Sequence, residues 1–77
     1  MKISKFVICV DNGEYPASLE RWKIYPMVGE RDAEGLILIV DESGEDYLYP
    51  KELFIPIQLP SIARERIQKE YKQEGYE

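Results

Sequence analysis

Three groups of residues in this chain could do chemistry. Asp41-Glu42-Ser43-Gly44-Glu45-Asp46 packs four carboxylates into six positions, an oxygen-rich loop of the kind that suits a divalent cation. Tyr15, Trp22, Tyr25, Tyr47 and Tyr49 lie in or beside turn-rich segments. There, flat apolar rings with a polar handle anchor contacts between proteins. Cys9 is the only thiol. It stands among Val and Ile, with no cation beside it in sequence to favour the thiolate, and reads as an inert buried residue.

The residues that are missing narrow the chemistry further. With no His among 77 residues, Ser-His-Asp and Cys-His arrangements and any His-ligated metal are impossible. One Cys forms no internal disulfide and cannot make a tetrahedral zinc site alone. Acid–base work near neutral pH would need a strongly shifted carboxylate, Lys or Tyr. The reading is therefore non-enzymatic, with no catalytic residue, no metal ligand set and no cofactor assigned. The acidic loop lacks the twelve-residue calcium pattern, and a hairpin tip of this composition is ordinarily solvated turn chemistry.

Charge points the same way. Residues 1–60 hold six basic and eleven acidic side chains, whereas residues 61–77 balance Arg64, Arg66, Lys69 and Lys72 against Glu65, Glu70, Glu74 and Glu77. The whole net charge of −5 thus sits in the first part, which repels nucleic acid and anionic membranes. The apolar run Phe6–Val10 is too short for a secretory h-region or a membrane span. A cytoplasmic location, consistent with the unpaired thiol, is the expectation.

The elements that must position these residues are short. Lys5–Val10 is a β-branched, aromatic strand, followed by Asp11-Asn12-Gly13 turn chemistry and an irregular stretch over 14–21. Lys23–Val28 is a second strand whose Pro26 marks an edge or a bulge. Gly29–Gly35 reads as a polar turn and Leu36–Val40 as the most apolar strand. Ser43-Gly44 closes a hairpin onto Asp46–Tyr49. Pro50–Leu53 reads as a helical turn, and Phe54–Leu59 as a last strand interrupted by Pro56. Ser61 is placed as N-cap of a helix running to about Gln73, with Gly75 as its stop. Five strands at this spacing predict an all-β fold: a small five-stranded antiparallel barrel over residues 1–60, with one C-terminal α-helix in 61–77.

Phe6–Val10 and Leu36–Val40 are apolar on both faces, so something must cover the outside of the sheet. The stripe Ala63, Ile67, Tyr71 on the helix is one candidate; a homodimer through that patch is the other.

The segments Cys9–Asn12, Ala17–Glu20 and Asp41–Pro50, then Phe54 and Ile55-Pro56, resemble a group of small bacterial proteins of uncharacterised function. The likeness covers roughly residues 6–60. Tyr49-Pro50 with Phe54-Ile55 is also similar to the turn and aromatic that lead into the last strand of Src-homology-3-like (SH3-like) barrels, with Asp11–Arg21 in the place of their first loop. The resemblance implies that fold. It does not carry over proline-rich peptide recognition, because the Ala-Leu-Tyr-Asp-Tyr run and the Trp pair are absent and Trp22 stands alone.

The expectation is a protein-interaction module that binds an unidentified protein through Tyr15, Trp22, Tyr47 and Tyr49. A structural homo-oligomer, or a metal-dependent protein using the acidic hairpin at 41–46, is the alternative.

Overall fold

The computed structural model describes residues 2–73, with side chains through residue 70. Five antiparallel strands, β1 (Lys5–Cys9), β2 (Ile24–Arg31), β3 (Leu36–Val40), β4 (Asp46–Pro50) and β5 (Phe54–Ile57), precede a helix, α1 (Ser61–Gln73). They form one sheet in the order β4-β3-β2-β1-β5. Short 3-10 turns at Asp32–Glu34 and Lys51–Leu53 link β2 to β3 and β4 to β5.

The two edge strands are consecutive in the chain, and this dictates the shape. Four interstrand spacings of about 4.8 Å would hold the edges of a flat sheet roughly 19 Å apart. The step from Pro50 to Phe54 spans at most about 14 Å of chain. The sheet therefore curls until its edges approach, and the Tyr49 and Phe54 rings meet at 6.3 Å. It does not close. No ladder joins β4 to β5, so the expected closed barrel is corrected to a curled, open five-stranded sheet. Pro50 and Pro56, one on each edge, have no N–H to donate across the gap.

Alternation gives the sheet two faces. Val7, Cys9, Tyr25, Met27, Ile37, Ile39, Tyr49 and Phe54 point to the inside of the curl, where Leu19 from the long loop and Leu53 complete the core. Phe6, Pro26 and Val40 point the other way, yet they too are buried. There α1 lies against the sheet: the Arg64 guanidinium sits 5.9 Å over the Phe6 ring, and Ile67 lines a recess with Lys23, Ile24 and Glu42. The Tyr71 side chain and Gly75 lie outside the described residues.

Pro26 does not mark an edge, because β2 pairs on both sides. The Cys9 N–H donates to the Lys23 carbonyl, so by two-residue alternation Tyr25 faces Val7 with its backbone groups and Pro26 turns its nitrogen toward β3. There it stands opposite Val40, the last residue of β3 and one step beyond the Met27↔Ile39 pair, so the missing N–H falls at the very end of that ladder. A bulge does follow, at Val28 between Met27 and Gly29. β2 then continues to Arg31, beyond the expected end at Val28, because Glu30 and Arg31 find partners in Ile37 and Leu36. At α1 the Pro60 carbonyl accepts the Arg64 N–H at 3.0 Å. Pro60 is thus the cap residue and Ser61 the first residue of the helix rather than its N-cap.

Burial on the outer face has a measurable consequence. Phe6→Ala is expected to cost about 3–4 kcal/mol in urea unfolding, as for a core aromatic. Ile55→Ala, half-exposed on the same face of an edge strand, is expected to cost less than about 1 kcal/mol.

Candidate interaction site

Segment 10–23 leaves β1, folds on itself and returns to β2. It is held inside by short-range bonds: the Tyr15 N–H donates to the Asn12 carbonyl, the Leu19 N–H to the Tyr15 carbonyl, and the Asn12 Nδ2 to the Leu19 carbonyl at 3.3 Å. Leu19 enters the core. The loop is thereby an ordered body rather than a slack connection.

The acidic hairpin tip holds this loop to the sheet. Asp41 is buried at 6% exposure, which a carboxylate tolerates only when donors surround it. Its Oδ1 accepts the Ser43 N–H at 2.9 Å and the Ser43 hydroxyl at 2.5 Å, an Asx-type turn that sets up the left-handed Gly44 (φ 84°). Its Oδ2 accepts the Tyr49 hydroxyl at 2.5 Å. Burial pushes the Asp41 carboxyl up, but the bonds from Ser43 and Tyr49 outweigh it and leave it below its ordinary 3.8. Glu42 next door takes Lys23 Nζ at 2.7 Å and the Tyr25 hydroxyl at 2.5 Å. Lys23 first, then Tyr25, hold it below its ordinary 4.5. The Glu42 N–H donates to the Ser18 carbonyl, and the Tyr25 hydroxyl accepts the Glu20 N–H at 2.8 Å. The Glu42 N–H and the Tyr25 hydroxyl, which the Glu42 carboxylate holds in place, thus fasten the two ends of segment 18–20.

The four aromatics expected to form the site do not form a single exposed row. Tyr49 is a core residue, only 4% exposed, and burial followed by the bond to Asp41 pushes its hydroxyl up to about 12. Its ring supports Tyr15 edge-to-face at 5.0 Å, leaving Tyr15 37% exposed at the surface. Tyr47, one pair further along β4, is half-exposed and donates its hydroxyl to Glu45 at 3.1 Å. Trp22 is 63% exposed; its ring contact among the described residues is the Arg21 guanidinium, 5.3 Å from the centroid. Tyr25 is buried, and burial first, then Glu42, raise its hydroxyl well above the usual phenol value. Cys9 is fully buried and burial raises its thiol.

Trp22 carries a feature that sequence reading missed. It is the sole described non-glycine residue with positive φ, at 71°, a conformation that costs a side-chain-bearing residue about 1–2 kcal/mol. Nothing in residue type signals this, since the strain arises from the anchors around it. The positions of Asp41 and Ser43 two residues apart before Gly44 did carry a readable Asx-turn signal.

Among the described residues no three Asp, Glu or Cys side chains are grouped to hold a metal ion. No helix among them is long and apolar enough to cross a membrane. Compared with known families, curated proteins and solved structures, the chain matches none.

The anchors make stability depend on pH at both ends. Asp41 and Glu42 have folded values below their unfolded ones. Their contribution is present above those ordinary values and is lost as pH falls below roughly 4, through the depressed folded values. Tyr25 and Tyr49 have raised folded values. Their contribution is present below about pH 10 and is lost as pH rises beyond it. The buried Cys9 thiol, also raised from its ordinary 9.0, begins to lose its contribution above that value, so urea midpoints are expected to be flat from about pH 5 to 9 and to fall on both sides; Tyr49→Phe should flatten the upper part of the alkaline limb. A second expectation concerns the backbone: Trp22→Gly should be more stable than Trp22→Ala by about 1 kcal/mol, because only glycine is unstrained there.

Proposed function

We propose that the protein is a non-catalytic interaction module of Src-homology-3-like form, which binds a protein partner through Trp22, Tyr15 and Tyr47. The fold reading is supported by the strand order β4-β3-β2-β1-β5, by the 3-10 turn that leads into the last strand and by the long ordered loop between the first two strands. Tyr49 acts within this site as the support of Tyr15 rather than as a contact.

Trp22 carries the proposal. A large ring stands mostly in solvent on a backbone conformation that glycine would adopt without strain. The anchors around it impose that conformation on whatever residue stands there, so a large ring in the place of glycine supports a use for the ring. Trp is also the residue type most enriched where binding energy concentrates. The net charge of −5 selects a partner with a basic surface, which long-range attraction brings in quickly. The cation reading of the hairpin has less support, because Asp41 and Glu42 already accept protein donors.

Affinity capture with cross-linking tests this. Trp22→Ala, with its fold verified by circular dichroism, should weaken retention of the partner about 30-fold or more, the weight of one hot-spot residue. The emission of the single Trp should shift to the blue as the ring leaves water. Retention unchanged by Trp22→Ala, Tyr15→Ala and Tyr47→Ala would remove the aromatic surface from the function.

A further inference from the structure

The two edges of the open sheet differ in what they offer another chain. On β4, the Lys51 N–H donates to the Gly35 carbonyl at 3.0 Å and the Asp41 N–H to the Glu45 carbonyl at 3.1 Å. Both bonds share the register that pairs Leu36 with Pro50 and Val40 with Asp46. In an antiparallel ladder the N–H and C=O of one residue point to the same side, and successive residues alternate. Residues 45, 47, 49 and 51 therefore face β3. Asp46, Leu48 and Pro50 turn their backbone groups outward, presenting the N–H of Asp46 and Leu48 and all three carbonyls.

β5 is blunted. The Cys9 N–H is directed to β2 and the Val10 N–H to the Leu53 carbonyl, so Phe6 and Ile8 bond to Ile57 and Ile55. The outward groups of β5 then belong to Phe54 and Pro56. Phe54 spends its N–H on the Lys51 carbonyl, and Pro56 has none. An edge without donors cannot extend a sheet, whereas β4 keeps two, and an edge of that kind is a template for another strand.

We propose that β4 pairs antiparallel with β4 of a second copy of this chain, about a two-fold axis at Leu48. Leu48 exchanges both of its backbone bonds with Leu48 of the second copy. The Asp46 N–H donates to the Pro50 carbonyl of the other chain and its symmetry mate does the same, which makes four backbone bonds with the Leu48 pair; Pro50 has no N–H to return, so the two Asp46 carbonyls stay with water. Charge selects this register. It sets Glu45 opposite Lys51 of the second copy, twice. Shifting the axis to Tyr47 would set Glu45 opposite Tyr49 and Asp46 opposite Leu48, with no cation facing either acid. The net charge of −5 on each chain opposes association, and the two Glu45–Lys51 pairs offset it where the chains meet. The half-exposed Tyr47 ring and Leu48, 36% exposed, gain neighbours on opposite faces of the joined sheet. This contact is separate from the Trp22 surface and does not depend on the reading of that surface.

Light scattering across about 10 µM to 1 mM, the range of weak strand-mediated contacts, tests the pairing. The mass should climb from 9.0 kDa toward about 18 kDa, the value for a two-fold dimer, and the Asp46 and Leu48 amides should exchange more slowly as concentration rises. Glu45→Lys or Lys51→Glu alone sets like charges opposite each other and should weaken the dimer at least tenfold. An equimolar mixture of the two variants, or the doubly swapped chain, should restore it. Circular dichroism verifies each fold, and if a variant is unfolded, amide exchange in the unaltered chain decides. A monomer throughout this range overturns the proposal. So does a dimer indifferent to both reversals, or Asp46 and Leu48 amides whose exchange ignores concentration.

Discussion

A buried carboxylate holds the molecule's one long loop in place. Asp41 lies almost out of water, and leaving it there with any lone pair unserved would cost more than a typical hydrogen bond contributes. Meeting that demand arranges everything near it. Ser43 must turn its backbone and hydroxyl back, which makes the hairpin tip. Tyr49 must lie along the inner face with its hydroxyl at the tip, which puts its ring where Tyr15 can pack on it. The neighbouring Glu42 is then aimed at Tyr25 and Lys23, and its own N–H at Ser18. The loop between β1 and β2 is thus shaped by a polar network at its far end as much as by its apolar plug, Leu19.

That network matters because a chain of this size has little core to draw on. One sheet of five short strands cannot bury both of its faces by itself. The inner face closes by curling, which the three-residue step between the edge strands enforces. On the outer face α1 reaches Phe6 through Arg64 and the Ile24 recess through Ile67, and Phe6, Pro26 and Val40 are buried there. Coverage thins toward the rims, where Leu48 and Ile55 stay partly exposed. The edges follow from the same economy: a sheet that curls without closing keeps two, and β5 is left without outward donors because Pro56 has no N–H and Phe54 gives its own to the Lys51 carbonyl.

Much of this frame was legible in residue order because it is local. Lys5–Cys9 and Leu36–Val40 are dense in β-branched side chains, and the Ser43-Gly44 turn and the helix from Ser61 have short-range signals. Pairing was not legible. Pro26 reads as an edge residue until the ladder phase shows its nitrogen facing Val40, the last residue of β3, where only the end of a ladder is at stake. Gly29 reads as a turn until the bulge at Val28 carries β2 past it. Closure was overestimated because strand number and spacing say nothing about whether the first and last ladder positions can donate. Tyr47 and Tyr49 look alike in sequence and point to the same face, yet one is half-exposed and the other is core. Two residues along the strand separate the rim of the curl from its interior.

Trp22 shows how strain can be forced from outside a residue. The Glu20 N–H is held by the Tyr25 hydroxyl, the Trp22 N–H by the Cys9 carbonyl, and the Lys23 side chain by Glu42. Three anchors within four residues oblige the chain to re-enter the sheet through a left-handed turn at position 22, whatever residue stands there. Glycine would accept that turn without strain, and a Trp ring that is mostly in water gains too little from packing on Arg21 to offset it. A cation–π contact at an exposed site is worth about 0.5–1 kcal/mol, at or below the 1–2 kcal/mol of the backbone conformation. Folding alone therefore gives no reason for Trp at this position.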